Sequence, residues 1–246
     1  MTTKLVPGQL IAVADASEVA TEAAARIAKA LREGIARYGS AAIALSGGNT
    51  PRAAYALLAK DSSVDWTKVE VFWVDERAVP PTDDRSNYRW AKSTLIDGAR
   101  IAAQAVWRMP ADSRDLEKAA RAYDALLRAR VRESSDGLPA FDVMVLGVGD
   151  DGHTASLFPG EPAVNVTDRV VVDVPKKGDR EARMTVTAPV IERAGTLVIL
   201  AVGAGKRDPL DRAWAVEGDV RKTPARVIRG GRGVVCWIID RAAGGV

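Results

Sequence analysis

The 246-residue chain has one cysteine and one histidine. A lone cysteine, Cys236, rules out an intramolecular disulfide. Its setting in Val234-Val235-Cys236-Trp237-Ile238-Ile239 reads as a buried structural thiol rather than a nucleophile. One imidazole and one remote thiol leave only carboxylates to complete a zinc shell, so no metal is expected. No uninterrupted apolar run approaches a membrane span, and residues 1–7 lack the apolar stretch of a secretory signal. A reducing cytoplasm with no membrane partner is the expected setting. Aromatic residues make up 5% of the chain and the formal net charge is +3. No stretch interleaves clustered Arg and Lys with aromatics, so no nucleic-acid partner is expected. The mild basic excess suits a protein that handles a small anion.

What is plentiful is apolar sequence, 47% of the chain, enough for a sizeable core. Short β-branched runs at 10–13, 41–45, 69–74, 141–147, 196–202 and 233–239 read as strands, with weaker ones at 105–107, 170–174 and 184–186. Between them lie segments of helical period. Asp15 is placed to cap a helix whose Val19, Ala23, Ile27, Leu31 and Ile35 share one face. Further helices are expected from about Pro51, over 86–96 and 115–133, from Pro189 through Arg193, and after Gly205. Near-continuous apolar strands alternating with helices describe an α/β fold with a mostly parallel sheet covered on both faces. Residues 1–246 read as one domain, without repeats or low-complexity tracts. The stretches 134–137 and 176–179 read as exposed turns, the second also as a flap beside a site.

Four loops follow the strong strands, and parallel strands direct such loops to one edge of the sheet. In Ser46-Gly47-Gly48-Asn49-Thr50-Pro51, two glycines let the backbone approach a ligand. Thr50 is a plausible cap, and the helix start offers amides to a phosphate. The bland alternative is an ordinary strand–turn–helix connection; neither a Walker loop nor a dinucleotide fingerprint is present. Asp75-Glu76-Arg77 abuts the apolar Phe72-Trp73-Val74, which fits Asp75 and Arg77 poorly as solvated charges. Gly203-Ala204-Gly205-Lys206-Arg207 sets Lys206 where a helix N-terminus and a phosphate meet. The remaining loop, Gly149-Asp150-Asp151-Gly152-His153, holds the only histidine. That residue is either structural or the acid–base group of a site, and the convergence of loops favours the second reading.

The strings SGGNTP (46–51), VDER (74–77), DDRSNY (83–88), LGVGDDGHTASLFP (146–159), RMTVTAPVI (183–191) and GAGKR (203–207) run in the order found in one family. The chain resembles the 6-phosphogluconolactonases, within the glucosamine-6-phosphate isomerase/6-phosphogluconolactonase family. The resemblance implies a Rossmann-like three-layer α/β/α sandwich. It also implies hydrolysis of 6-phospho-D-glucono-1,5-lactone in the oxidative pentose phosphate pathway, with no cofactor. By position, Gly47, Gly48, Arg183 and Lys206 are implied to hold the phosphate, with Ser46, Asn49 and Thr50 in the same turn. His153 is implied to be the base, with Asp75, Arg77 and Asp151 at the reacting end and Asn87 at the sugar hydroxyls. The related deaminases carry a glutamate five residues beyond the histidine, where this chain has Phe158, and a DEY-type segment where it has Asp75-Glu76-Arg77.

Lactone hydrolysis needs an activated water, a stabilised oxyanion and a protonated leaving oxygen. His153 is the expected base, oriented by Asp151, Asp150 or Asp75, and Arg77 the expected oxyanion partner. The expected partner is a small phosphorylated sugar lactone, and the chain is expected to act as a monomer or weak homodimer. The rival readings are an amino-sugar-phosphate deaminase and a non-catalytic sugar-phosphate sensor.

Overall fold

The computed structural model describes residues 3–245. Its strands are β1 (Gln9–Val13), β2 (Ala41–Leu45), β3 (Val69–Trp73), β4 (Asp75–Arg77), β5 (Val143–Gly147), β6 (Val171–Val174), β7 (Arg183–Val186), β8 (Thr196–Ala201) and β9 (Val234–Asp240). Six of them form one parallel sheet in the order β1-β9-β8-β5-β2-β3. Every residue of β2, and every residue of β5 but its last, is buried, so both faces of the sheet are covered. This is the expected Rossmann-like α/β sandwich, with β5 in the interior of the sheet.

The helices follow their sequence signals. Helix α1 (Ala16–Tyr38) starts where the Asp15 carboxylate accepts the Ser17 and Glu18 N–H groups. It ends at Gly39, whose φ of 83° is the left-handed conformation that closes a helix. Val19, Ala23, Ile27 and Leu31 are buried on its inner face, with Ile35 packed at the margin. Helix α2 (Asn49–Leu58) begins two residues earlier than a Thr50 cap requires. Gly48 is the N-cap, at φ 109°, and no side chain caps the helix, so its first amides stay open toward the sheet edge. Helix α3 (Asn87–Ala91), capped by Ser86, runs into a π turn at Lys92–Ile96. Helix α4 (Leu116–Arg130) is capped by Asp115 and stops short of Glu133 because Val131 is already extended.

Other expectations need correction. The 105–107 segment makes a single parallel bridge, Val106 to Val71, after a 3₁₀ turn at Ala103–Ala105. A π turn replaces α-helix over the second half of 86–96. Helix α5 (Ala188–Glu192) and helix α6 (Arg207–Trp214) follow β7 and β8 as expected. Strand β9 is followed by a short helix α7 (Arg241–Gly244), capped by Asp240, that the sequence reading did not include. Cys236 is buried in β9.

The largest departure is a second, antiparallel sheet in the order β4-β7-β6. Asp75-Glu76-Arg77 is therefore a strand rather than a loop. The chain changes sheets at Val74, whose N–H donates to Leu45 O of the parallel sheet while its carbonyl accepts the Val186 N–H. The stretch 176–179 is the tip of the β6–β7 connection, closed by a Lys177–Arg180 bridge. Among the described residues no helix is long and apolar enough to cross a membrane.

Asp124 of α4 ties the small sheet down. Its carboxylate accepts the Val170 and Val171 N–H groups (2.6 and 3.2 Å) and the Arg128 Nε–H (2.8 Å). Burial pushes the Asp124 carboxyl up, but these donors outweigh it and leave it below the ordinary 3.8. The stability it contributes is therefore complete above about pH 4 and is lost as pH falls. Asp124→Ala leaves two buried N–H groups unpaired and is expected to cost about 2–4 kcal/mol in urea unfolding. Asp124→Asn is expected to flatten the acid limb of the stability curve.

Candidate active site

Strand β2 lies between β3 and β5, so the chain leaves β2 in one direction and returns on its other side. This reversal is the switch point at which the carboxyl ends of parallel strands open a crevice. A cavity of about 470 Å³ occupies it. All the candidate residues named from the sequence line it, except Asp151: Ser46, Gly47, Gly48, Asn49 and Thr50, then Asp75, Arg77, Asn87, His153, Arg183 and Lys206. Asp150, Gly149 and Ala155 join them, over an apolar stretch from Leu200 to Val202.

The glycine turn is fixed from below. The buried Tyr55 hydroxyl accepts the Ser46 N–H and donates to Ser46 O (3.0 and 3.1 Å), and burial drives its pKa up so that it stays protonated. Gly47 has no room for a side chain, since a Cβ there would stand 1.8 Å from Asn87 Oδ1. The turn thus presents bare backbone and the uncapped start of α2, a set of donors suited to an anion. Lys206 also lines the cavity, and its Nζ pairs with Asp150 Oδ1 at 2.6 Å.

His153 belongs to a two-residue carboxylate–imidazole unit. Its Nδ1 lies 2.6 Å from Asp151 Oδ1, which also accepts the His153 N–H at 2.9 Å. Burial alone would raise the Asp151 carboxyl; the two bonds from His153 overcome it and lower its pKa to about 2. A carboxylate only accepts, so the neutral imidazole carries its proton on Nδ1 and offers the Nε2 lone pair. Asp151 stands behind the ring and does not line the cavity. The imidazole lies on Gly149, where a Cβ would come within 2.1 Å of Nδ1 and Cε1. Phe158 packs against the ring with centroids 4.5 Å apart.

The second sheet supplies the opposite wall. Asp75 is buried; its Oδ1 accepts Asn87 Nδ2–H (3.0 Å) and its Oδ2 accepts the Ser156 hydroxyl (2.6 Å), with Arg183 Nη1 at 3.6 Å. Those partners occupy it, and Asp151 is the carboxylate on the imidazole. Arg77 donates through Nη1 to Arg85 O (2.5 Å). The buried Nε groups of Arg77 and Arg183 have no partner among the described residues. Desolvation lowers the Arg183 pKa, with Asp75 opposing it and Arg77 adding to it. Both arginines line the cavity, and guanidinium groups there suit an anionic or oxyanionic group.

Two contributors escaped the sequence reading. Glu76 is buried and accepts four donors: the Arg77 and Asn87 N–H groups on Oε1, the Tyr88 N–H and the Ser86 hydroxyl on Oε2. Ser156 reaches Asp75 across a long sequence separation, and no local pattern signals that pairing. For Glu76 a signal existed in its position between two candidates at the end of an apolar run. Among the described residues no group of three or more His, Cys, Asp or Glu is placed to hold a metal.

Comparison with known proteins supplies the lineage. The family profile described as Glucosamine-6-phosphate isomerases/6-phosphogluconolactonase matches residues 14–237. A 6-phosphogluconolactonase of Synechocystis sp. is 41% identical over 219 residues, 89% of this chain and 88% of the relative. One from Rhizobium meliloti is 40% identical over 219 residues, 87% and 88% of the two chains. The solved 6-phosphogluconolactonase of Trypanosoma brucei superposes with a TM-score of 0.85 at 25% identity, covering 100% of this chain and 99% of that one. The chain belongs to the glucosamine-6-phosphate isomerase/6-phosphogluconolactonase family.

Proposed function

We propose that the protein hydrolyses 6-phospho-D-glucono-1,5-lactone to 6-phospho-D-gluconate, the second step of the oxidative pentose phosphate pathway, in the cytoplasm. The observation that carries this reading is the Asp151–His153 pair at 2.6 Å, with the imidazole lining the cavity that the Gly47–Gly48 turn and Lys206 also line. An amide-rich turn and a lysine suit a phosphate, and an oriented imidazole suits a water attack. The named relatives are 6-phosphogluconolactonases. Phe158 also favours a lactonase over a deaminase, because it sets an apolar ring against the imidazole where ring-opening isomerisation uses an acid–base carboxylate.

In the proposed course, the phosphate is held by the amides of the Ser46–Thr50 turn together with Lys206 and Arg183. Lys206 exchanges its Asp150 partner for the substrate, and remote binding energy is spent on orientation. His153 Nε2 takes a proton from water as its oxygen bonds to the lactone carbonyl carbon. Asp151 stabilises the imidazolium, and Arg77 faces the oxyanion. The tetrahedral intermediate then collapses with cleavage of the bond to the ring oxygen. The imidazolium returns its proton to that oxygen, leaving a sugar hydroxyl and a carboxylic acid that ionises. Asn87, held in place by the Asp75 carboxylate, positions the sugar hydroxyls. Every proton is accounted for by water and His153, so the course requires no cofactor.

His153→Ala and His153→Asn are expected to lower background-corrected turnover about a hundredfold or more. Near-normal hydrolysis of freshly generated lactone by either variant removes His153 from the base role. Gly149→Ala, whose Cβ would stand 2.1 Å from the imidazole, is expected to lose comparable turnover while still binding the product. Lys206→Ala is expected to raise KM about tenfold or more with a smaller change in kcat, since a charged hydrogen bond is lost. An unchanged preference for the phosphorylated over the unphosphorylated lactone would count against the clamp.

A further inference from the structure

Three consecutive peptide carbonyls of the histidine loop are occupied from outside the cavity. Arg212 Nη2 donates to Asp150 O (3.3 Å) and Arg212 Nη1 to Asp151 O (3.2 Å), while the Ala225 N–H donates to Gly152 O (2.9 Å). Arg212 is itself braced: its Nε donates to Asp208 Oδ2 one turn earlier in α6 (3.0 Å), and Nη1 also reaches Thr223 Oγ1 (3.5 Å). Arg212 does not line the cavity. From these contacts we infer that Arg212 is a positioning residue: its guanidinium fork fixes the Asp150–Gly152 backbone so that Asp151 meets the His153 ring in one tautomer.

The physical need for such a clamp lies in Asp151. The side chain is 49% exposed, and among the described residues the hydrogen bonds that hold it come from the main-chain N–H and ring nitrogen of His153, two residues along the same loop. Its carboxylate is therefore aimed by its own backbone rather than by surrounding packing. That backbone includes Gly152 at φ 89°, a conformation most residues avoid. A Cβ on Gly152 would stand 3.0 Å from Thr223 Cγ2 and 3.3 Å from Arg212 Nη1, so the loop sits tightly on its brace. A planar guanidinium engages two adjacent carbonyls at once and loses little freedom in doing so; an ammonium offers no such fork. The surface pair with Asp208 alone would add little to the helix. The same helix follows directly on Lys206, which holds the Asp150 side chain while Arg212 holds its carbonyl. One short element thus braces both the anion-facing and the imidazole-facing halves of the loop.

The inference rests on the reading of His153 as the base, and its test separates the two. Because the chain has a single histidine, the imidazole nitrogens of uniformly ¹⁵N-labelled protein give one unambiguous set of resonances. With the imidazole neutral, the wild type is expected to show the Nδ1–H tautomer. Arg212→Ala is expected to shift the ring toward a mixture of tautomers and to lower kcat about ten- to a hundredfold, with KM within about twofold. Arg212→Lys is expected to restore part of both. Unchanged ¹⁵N shifts in a cooperatively folded Arg212→Ala protein would overturn the proposal. Should that variant fail to fold, Arg212→Gln takes its place with the same readouts. A shifted tautomer with unchanged turnover upholds the positioning role and removes His153 from the base role instead.

Discussion

Four donors converge on the carboxylate of Glu76, and the far wall of the site depends on that convergence. Arg77, Asn87 and Tyr88 contribute main-chain N–H groups and Ser86 its hydroxyl, all within 3.0 Å. The group is buried, and burial pushes its pKa up against the pull of the three N–H groups. An isolated buried carboxylate would cost several kcal/mol; charge-assisted bonds from every side offset that cost. The same bonds join strand β4 to the start of α3. Arg77 and Asn87 therefore face one cavity although nine residues separate them in the chain. Asn87 in turn bonds Asp75, and its amide oxygen leaves no room for a side chain on Gly47.

Around that anchor, the site is shaped by close approach. Two glycines carry it: Gly47 against Asn87, and Gly149 beneath the imidazole. At each the neighbouring side chain occupies the space a Cβ would need, so the backbone itself becomes part of the wall. The resulting surface divides by chemistry. Open helix amides and Lys206 lie to one side. The imidazole with Phe158 against it follows, and Arg77 and Arg183 of the small sheet complete the lining. Such an arrangement suits a ligand with an anionic end and an uncharged polar end.

Much of this was legible in the chain. The period of α1, the Asp15 and Asp115 caps and the fully apolar β2 and β5 are local signals, and each element forms where its signal lies. The four loops could be assigned to one edge because parallel strands leave no other choice. The reading failed where a residue's conformation depends on a distant partner. Asp75–Arg77 carries two carboxylates and a guanidinium, a poor strand by propensity, yet it pairs with Arg183–Thr185 because Glu76 finds donors in the α3 segment and Asp75 finds them in Asn87 and Ser156. Thr50 has the chemistry of a cap, but Gly48 takes the position because its positive φ turns the chain sooner.

The sequence by itself determined the α/β class, the parallel sheet, the edge at which chemistry-bearing loops gather and the lone imidazole among them. These follow from periodicity and from the single histidine, which are properties of short windows or of composition. Only the tertiary structure decided that Asp151 meets the ring while Asp150 pairs with Lys206, that Asp75 is spent on Ser156 and Asn87, and that Arg212 reaches the loop carbonyls. The physical reason is the range of the forces involved. A helix or strand is chosen by neighbours a few residues away. Which of two adjacent carboxylates turns inward is chosen by hydrogen-bond donors brought within 3 Å only once the whole chain has packed.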